Sequence, residues 1–202
     1  MKKIGEGWQY KAYDIGNGRV FKKFHSVFVR YWVILKDVFP FKYDSIWQVP
    51  SFVRSSKKKA RHSFDIIKAK KVPLAWLGNP KLLSGLNYEQ DKAQPLHDVF
   101  EKAGAERLKA VIDAFIVFNK QLLQNGVIDK SFNITKNFGL NGKGEIILID
   151  IGELFDDPQK IKKQLQDRAW DVSYVSGRIK DMEAREYFVA QMDKHFGYHV
   201  IA

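Results

Sequence analysis

Between Asn137 and Gly152 the chain reads Asn-Phe-Gly-Leu-Asn-Gly-Lys-Gly-Glu-Ile-Ile-Leu-Ile-Asp-Ile-Gly, and no other stretch restricts the fold as much. Asn141-Gly142-Lys143-Gly144 between two apolar-containing runs predicts a hairpin, because Asn and Gly reach turn conformations that other residues resist. Its second arm, Glu145 to Asp150, is too apolar to lie anywhere but in a core, and it ends on a carboxylate. Such a strand needs covering elements. The segment Ala105 to Gln124 supplies one, with Leu108, Val111, Ile112, Phe115, Ile116, Leu122 and Leu123 at helical spacing and Gly126 as its stop.

Before this helix the chain reads largely as strands. Ile4 to Phe24 predicts a strand, a turn at Gly16-Asn17-Gly18 and a returning strand Arg19–Phe24. Residues 27–53 are rich in aromatic side chains, interrupted by Pro40 and Pro50, and fit no single element. Arg54 to Lys71 predicts a very basic helix ended by Pro73. Val72–Leu77 and Leu82–Tyr88 read as strands around Gly78-Asn79-Pro80, and a short helix follows Gln94-Pro95. From Asp157 two helices are expected. The fold class is therefore α+β: a β-rich first part over 1–90, a reduced helical second part over 91–202, and one domain in all.

The 202 residues contain no cysteine, which excludes disulfides, thiolate metal sites and thiol catalysis. No apolar run approaches a membrane span and no signal-type core follows the N-terminus, so a cytoplasmic protein is expected. Net charge is +11, and it is unevenly placed. Residues 1–82 hold 18 Lys and Arg against 5 Asp and Glu, whereas the remainder holds 16 against 18. A polarised basic half suits phosphate-bearing partners. The densest part, Lys57-Lys58-Lys59-Ala60-Arg61-His62, reads as a solvated helical face or as a grip on an anionic partner such as nucleic acid. His195 and His199 have metal-compatible spacing, but Gly197 between them argues against a helical site.

Four features then follow in order. Gly5-Glu6-Gly7-Trp8-Gln9-Tyr10 is a glycine-containing turn whose backbone would approach phosphate oxygens closely. Lys22 lies on the returning strand with its ammonium inward, and Lys23 points the other way. Asn137 and Asp150 offer an amide oxygen and a carboxylate, hard ligands suited to Mg²⁺. In this order and spacing, over roughly residues 4–155, the chain resembles the protein-kinase-like family, with Asp150-Ile151-Gly152 at the position of its metal-binding Asp-Phe-Gly. The stretch from Gly85-Leu86-Asn87-Tyr88-Glu89 to Pro95-Leu96 is similar to that family's hinge and first large-lobe helix.

The resemblance implies a two-lobed kinase-like fold and an ATP-dependent phosphotransferase. Gly5, Gly7 and Tyr10 would cover the phosphates and Lys22 would steady them. Asn137 and Asp150 would hold Mg²⁺, and adenine would bind the backbone near Tyr88–Asp91, including Glu89. Departures are equally concrete. Tyr10 replaces the third loop glycine, and Phe132 stands where the family has its base. Two alternatives stay open. Either the loop bulges so that Asp129 reaches the acceptor hydroxyl, in register with Asn137 or with Asn133, or the base is missing. The only acid available to pair with Lys22 from the basic helix is Asp65. Fifty residues after Gly152 leave little room for a peptide platform, so a small-molecule, sugar or lipid-type acceptor is expected. A regulatory pseudokinase is the alternative, and a basic nucleic-acid binder is the second.

Overall fold

The structure, a computed structural model, describes residues 1–37, 49–172 and 175–197. It begins with a five-stranded antiparallel sheet of order β1-β2-β3-β5-β4, built from β1 (Lys2–Glu6), β2 (Tyr10–Gly16), β3 (Arg19–Phe24), β4 (Lys81–Leu82) and β5 (Tyr88–Asp91). The expected opening hairpin is thus three strands. Gly16 pairs with Arg19 across Asn17-Gly18, and both turn residues have positive φ, 51° and 69°, which an Asn-Gly pair accommodates with little strain.

Among the described residues, the α-helices between β3 and β4 are α1 (Val27–Asp37) and α2 (Val49–Ala69). Part of the aromatic stretch 27–53 is therefore helical, and residues 38–48 lie outside the described residues. Pro50 does not break α2. It sits in the first helical turn, where a missing N–H removes no intrahelical bond. Val53, Ser56, Ala60, Ser63 and Ile67 are buried at helical spacing, which turns Arg54, Lys57, Lys58 and Arg61 to solvent. Lys59 is half-buried, with its ammonium over the Phe52 ring and 3.9 Å from Glu153.

Two expected strands change form. Val72–Leu77 holds a 3-10 turn over Leu74–Leu77, because Pro73 has no N–H for a ladder and Gly78, at φ 62°, closes the turn. Leu82–Tyr88 is not one strand but a tight reversal through Gly85 (φ 71°) that pairs β4 with β5.

The remainder is mostly helical with two small sheets. It comprises β6 (Gln94–Pro95), α3 (Leu96–Lys102), α4 (Ala105–Gln124), β7 (Ile128–Asp129), α5 (Ile134–Asn137), β8 (Phe138–Leu140), β9 (Ile146–Leu148), β10 (Leu154–Phe155), α6 (Pro158–Gln166) and α7 (Met182–Phe196). Helix α4 has the expected bounds, and its apolar face meets α7 and β9. Phe115 contacts Phe138 edge-on at 4.8 Å and Phe188 at 5.9 Å. Asp157 and Asp181 cap α6 and α7 through their carboxylates. Among the described residues, no helix is long and apolar enough to cross a membrane.

Candidate active site

The β8–β9 hairpin brings its two ends together. The Asn137 carbonyl oxygen accepts from the N–H groups of Ile149 (2.7 Å) and Asp150 (3.1 Å). Asn137 and Asp150, 13 residues apart in sequence, are therefore joined backbone to backbone. The Asn137 side chain is aimed by Asp129. Its Nδ2 donates to both Asp129 carboxylate oxygens (3.0 and 3.1 Å) and to Ser131 Oγ (3.2 Å), leaving Oδ1 as the amide's remaining acceptor.

Asp129 ends β7, which is paired with β10, and it is fully buried. Its Oδ2 accepts from the backbone N–H of Ser131 (3.1 Å) and from Ser131 Oγ (3.2 Å). Burial drives its pKa up to about 7, although the Asn137 and Ser131 donors favour the ionised form, while the charges of Asp150 and Glu153 push it further up.

The loop from Asp129 to Asn137 turns at Phe132. Phe132 adopts φ 47°, rare for a bulky residue, and buries its ring edge-on to Trp170 at 5.9 Å and against Phe196 at 5.7 Å. Asn133 faces elsewhere, its Oδ1 accepting from Thr135 Oγ1 at 3.1 Å. The acid beside Asn137 is thus Asp129.

Lys22, on β3 between Ala12 and Tyr88, sends its Nζ to the Ile149 carbonyl oxygen at 3.3 Å. Lysine, asparagine and both aspartates therefore gather along one strip. Burial lowers the Lys22 pKa, and the Asp150 charge opposes that shift. Lys23 is exposed, as strand alternation requires.

Asp65 does not partner Lys22. Ile66 and Ile67 occupy the buried face of α2 and Phe64 lies edge-on to Tyr88 at 5.5 Å, so the intervening turn carries Asp65 outward to solvent.

The glycine turn is held at several points. Gly7 N–H donates to the Tyr10 carbonyl at 2.8 Å, His25 N–H donates to the Gln9 carbonyl at 2.9 Å, and His25 Nε2 lies 2.9 Å from the Gly7 carbonyl. Trp8 packs on Phe52 of α2 with ring centroids 5.0 Å apart. A Cβ at Gly5 or Gly7 would meet only ordinary contacts at 3.8 and 3.9 Å, so packing does not require glycine at either position.

Tyr10 does not face outward over the turn. Its ring is buried between Phe24 and Tyr88, 5.2 Å from each. The backbone expected to meet adenine is also engaged. Tyr88 and Glu89 pair with β3 on one side and β4 on the other, and Asp91 N–H donates to the Gly78 carbonyl at 2.7 Å.

Several participants carried no recognisable pattern in sequence. Gln9 is buried, its side-chain carbonyl resting where a Cβ on Gly152 would be. Its Nε2 and the hydroxyls of Tyr10 and Tyr88 are buried without a hydrogen-bond partner. Ser131 had a local signal, since Asp-x-Ser is an Asx-turn sequence. Glu153 lies 3.3 Å from Lys130.

Among the described residues no group of three or more His, Asp or Glu is arranged to hold a metal ion. Asn137 and Asp150 carry an amide oxygen and a carboxylate on hydrogen-bonded backbone. Such a set fits Mg²⁺, which keeps waters and takes further oxygens from substrate phosphates. A surface groove of about 530 Å³, lined by Gly18, Lys92, Pro95, Asp98 and Leu140 among others, includes none of these site residues. No family model and no curated protein matches the chain.

Proposed function

We propose that this chain is a kinase-like phosphotransferase that uses ATP with Mg²⁺ and acts on a small-molecule, sugar or lipid-type hydroxyl acceptor. The observation that carries the reading is the convergence of Lys22, Asp129, Asn137 and Asp150 from separate segments through direct hydrogen bonds and shared backbone. Phosphoryl transfer needs little covalent help from a protein, so positioning and charge neutralisation account for most of it. Lys22 would steady the phosphates beneath the Gly5–Gly7 turn. Asn137 Oδ1 and the Asp150 carboxylate would hold the cation, which neutralises phosphate charge when bound.

Asp129 would accept the acceptor's hydroxyl proton as that oxygen bonds to the γ-phosphorus and the bond to ADP breaks. A carboxyl with its midpoint near 7 is divided between acid and base at neutral pH, as a general base requires. The acceptor class follows from what lies after Asp150. Only residues 153–157 separate Gly152 from α6, which leaves no extended segment to align a peptide. The two-lobed description, with a sheet-rich lobe over 1–90 and a helical lobe over 91–202 in a single domain, belongs to the same proposal.

Two observations favour a second reading, a pseudokinase. Gln9 fills the space over Gly152, and α2 gives Lys22 no acidic partner. Melting curves with ATP or ADP, with and without Mg²⁺, in wild type and Asp150→Asn separate the readings. Ligand at a hundredfold its dissociation constant adds about 2.7 kcal/mol, or roughly 5–11 °C for a chain of this size. A Mg²⁺-dependent shift abolished by Asp150→Asn supports the phosphotransferase. A Mg²⁺-independent shift supports the pseudokinase. No shift refutes both and brings forward nucleic-acid binding by the exposed Arg54, Lys57, Lys58 and Arg61 face.

A further inference from the structure

Asp129 ends a strand too short to fix its position alone. Strands β7 and β10 pair over two residues each, Ile128 with Phe155 and Asp129 with Leu154, and so small a ladder needs outside support. Lys130 N–H donates to the Glu153 carbonyl at 3.0 Å, which makes Asp129 and Leu154 the pair whose backbone N–H and C=O groups point away from each other. Two helices catch those outward groups. Gln164 of α6 donates from Nε2 to the Asp129 carbonyl oxygen at 2.9 Å and to the Lys130 carbonyl oxygen. Ser63 of α2 accepts from the Leu154 N–H at 2.9 Å, while its own hydroxyl donates to the Lys59 carbonyl at 3.2 Å.

Both side chains are buried polar groups on largely apolar faces. Ser63 shares the inner face of α2 with Ile66 and Ile67, and Gln164 shares that of α6 with Ile161 and Leu165. The Gln164 Oε1 is buried without a hydrogen-bond partner. An apolar side chain of similar length would avoid that cost, so what Gln164 contributes lies in the two bonds of its Nε2.

We infer that Gln164 and Ser63 are the positioning residues of Asp129, gripping β7 from α6 and β10 from α2 so that the carboxylate stays on the Asn137 amide. What that carboxylate does in phosphoryl transfer rests on the reading above; the grip itself does not. Gln164 fixes the Asp129 backbone directly, and Ser63 fixes the residue across the ladder from it. The Asp129 side chain then aims Asn137 through Nδ2 and leaves Oδ1 for the cation. Helix α2 therefore acts on the site through Ser63 and β10, where it offers no acid to Lys22.

The test uses Gln164→Met and Ser63→Ala in the full chain, read by hydrogen exchange of side-chain amides in ¹⁵N-labelled protein. The Asn137 amide reports its bond to Asp129. Asn119, buried in α4 and donating to the Phe115 carbonyl at 2.9 Å, is the internal reference. The expected result in each variant is about tenfold faster exchange at Asn137, the equivalent of one lost hydrogen bond, with Asn119 unchanged. Equal acceleration at both amides would reduce the two residues to general stability. No change at Asn137 would show that Asp129 keeps its place unaided. Either result overturns the inference, and Ser63→Ala, which deletes one oxygen, decides it if Gln164→Met does not fold.

A second readout reaches the cation. Both variants should need roughly tenfold more Mg²⁺ than wild type for a half-maximal Mg²⁺-dependent melting shift with ADP, because groups that orient a metal ligand change affinity by that order. An unchanged Mg²⁺ requirement overturns the positioning role. If wild type shows no nucleotide shift at all, the phosphotransferase reading falls, while amide exchange still decides the grip on its own.

Discussion

Asp129→Asn removes a charge and almost nothing else, which makes its consequences calculable. The carboxyl is fully buried and its pKa rises from 3.8 to about 7 on folding, chiefly through burial. Between those values the unfolded chain releases its proton and the folded chain keeps it, so stability falls as pH rises through the window. At 1.36 kcal/mol per decade of proton affinity, the cost is about 1 kcal/mol at pH 4.5 and about 4 kcal/mol at pH 8.5. Asparagine escapes that cost, but its amide NH2 replaces the oxygen that accepts from Asn137 Nδ2 and sets donor against donor, a loss of about 1 kcal/mol at every pH.

Asp129→Asn should therefore match wild type near pH 4.5 and exceed it by about 3 kcal/mol at pH 8.5, or roughly 6–12 °C in melting temperature. Urea titrations at half-unit pH steps measure the difference directly. A difference that stays flat from pH 4.5 to 8.5 would show that Asp129 is ionised in the fold like any surface acid, and would remove the physical basis for its role as a base. The same variant should lose on the order of 10²–10⁴ in turnover.

Three further sites give contrasting outcomes. A Cβ on Gly139 would lie 2.8 Å from the Gln94 carbonyl oxygen, a backbone atom that cannot step aside. Gly139→Ala should cost about 1–3 kcal/mol by urea denaturation, whereas Gly152→Ala, which meets only the tip of the Gln9 side chain, should cost visibly less. Phe132→Ala should cost about 3–5 kcal/mol, because the ring is wedged against Trp170 and Phe196; a loss under about 1 kcal/mol would contradict a core role for it.

Local chemistry made some of this legible in the sequence and long-range packing hid the rest. Helix α4 and the β8–β9 hairpin could be read because their periodicity and turn residues need no distant partner. The Asn137–Asp150 spacing followed from that hairpin. Val72–Leu77 misled because an apolar run beside a proline satisfies strand and 3-10 patterns equally. Pro50 misled because a proline near an unassigned stretch reads as a breaker, although the first turn of a helix tolerates it. The pairing of Asp129 with Asn137 depended on Phe132 adopting a left-handed conformation, which the aromatic pocket of Trp170 and Phe196 enforces from 38 and 64 positions away. Asp65 was the only acid on its helix, but the isoleucines beside it decided its direction. The unpartnered hydroxyls of Tyr10 and Tyr88 could not be foreseen, since a tyrosine in a strand reads as an ordinary core ring.

The double acceptance at the Asn137 carbonyl has a practical corollary. Because the N–H groups of Ile149 and Asp150 are locked to that one oxygen, the distance between the two cation-binding candidates does not depend on the turn at Asn141–Gly144. That turn is exposed and closed by its own short hydrogen bonds, Asn141 accepting from Lys143 and Glu145. Extra residues or a dye inserted there would ride on the far end of the hairpin and leave the strip of Lys22, Asp129, Asn137 and Asp150 undisturbed. The chain thus carries its own attachment point for a fluorescent reporter, mechanically insulated from the chemistry it would report on.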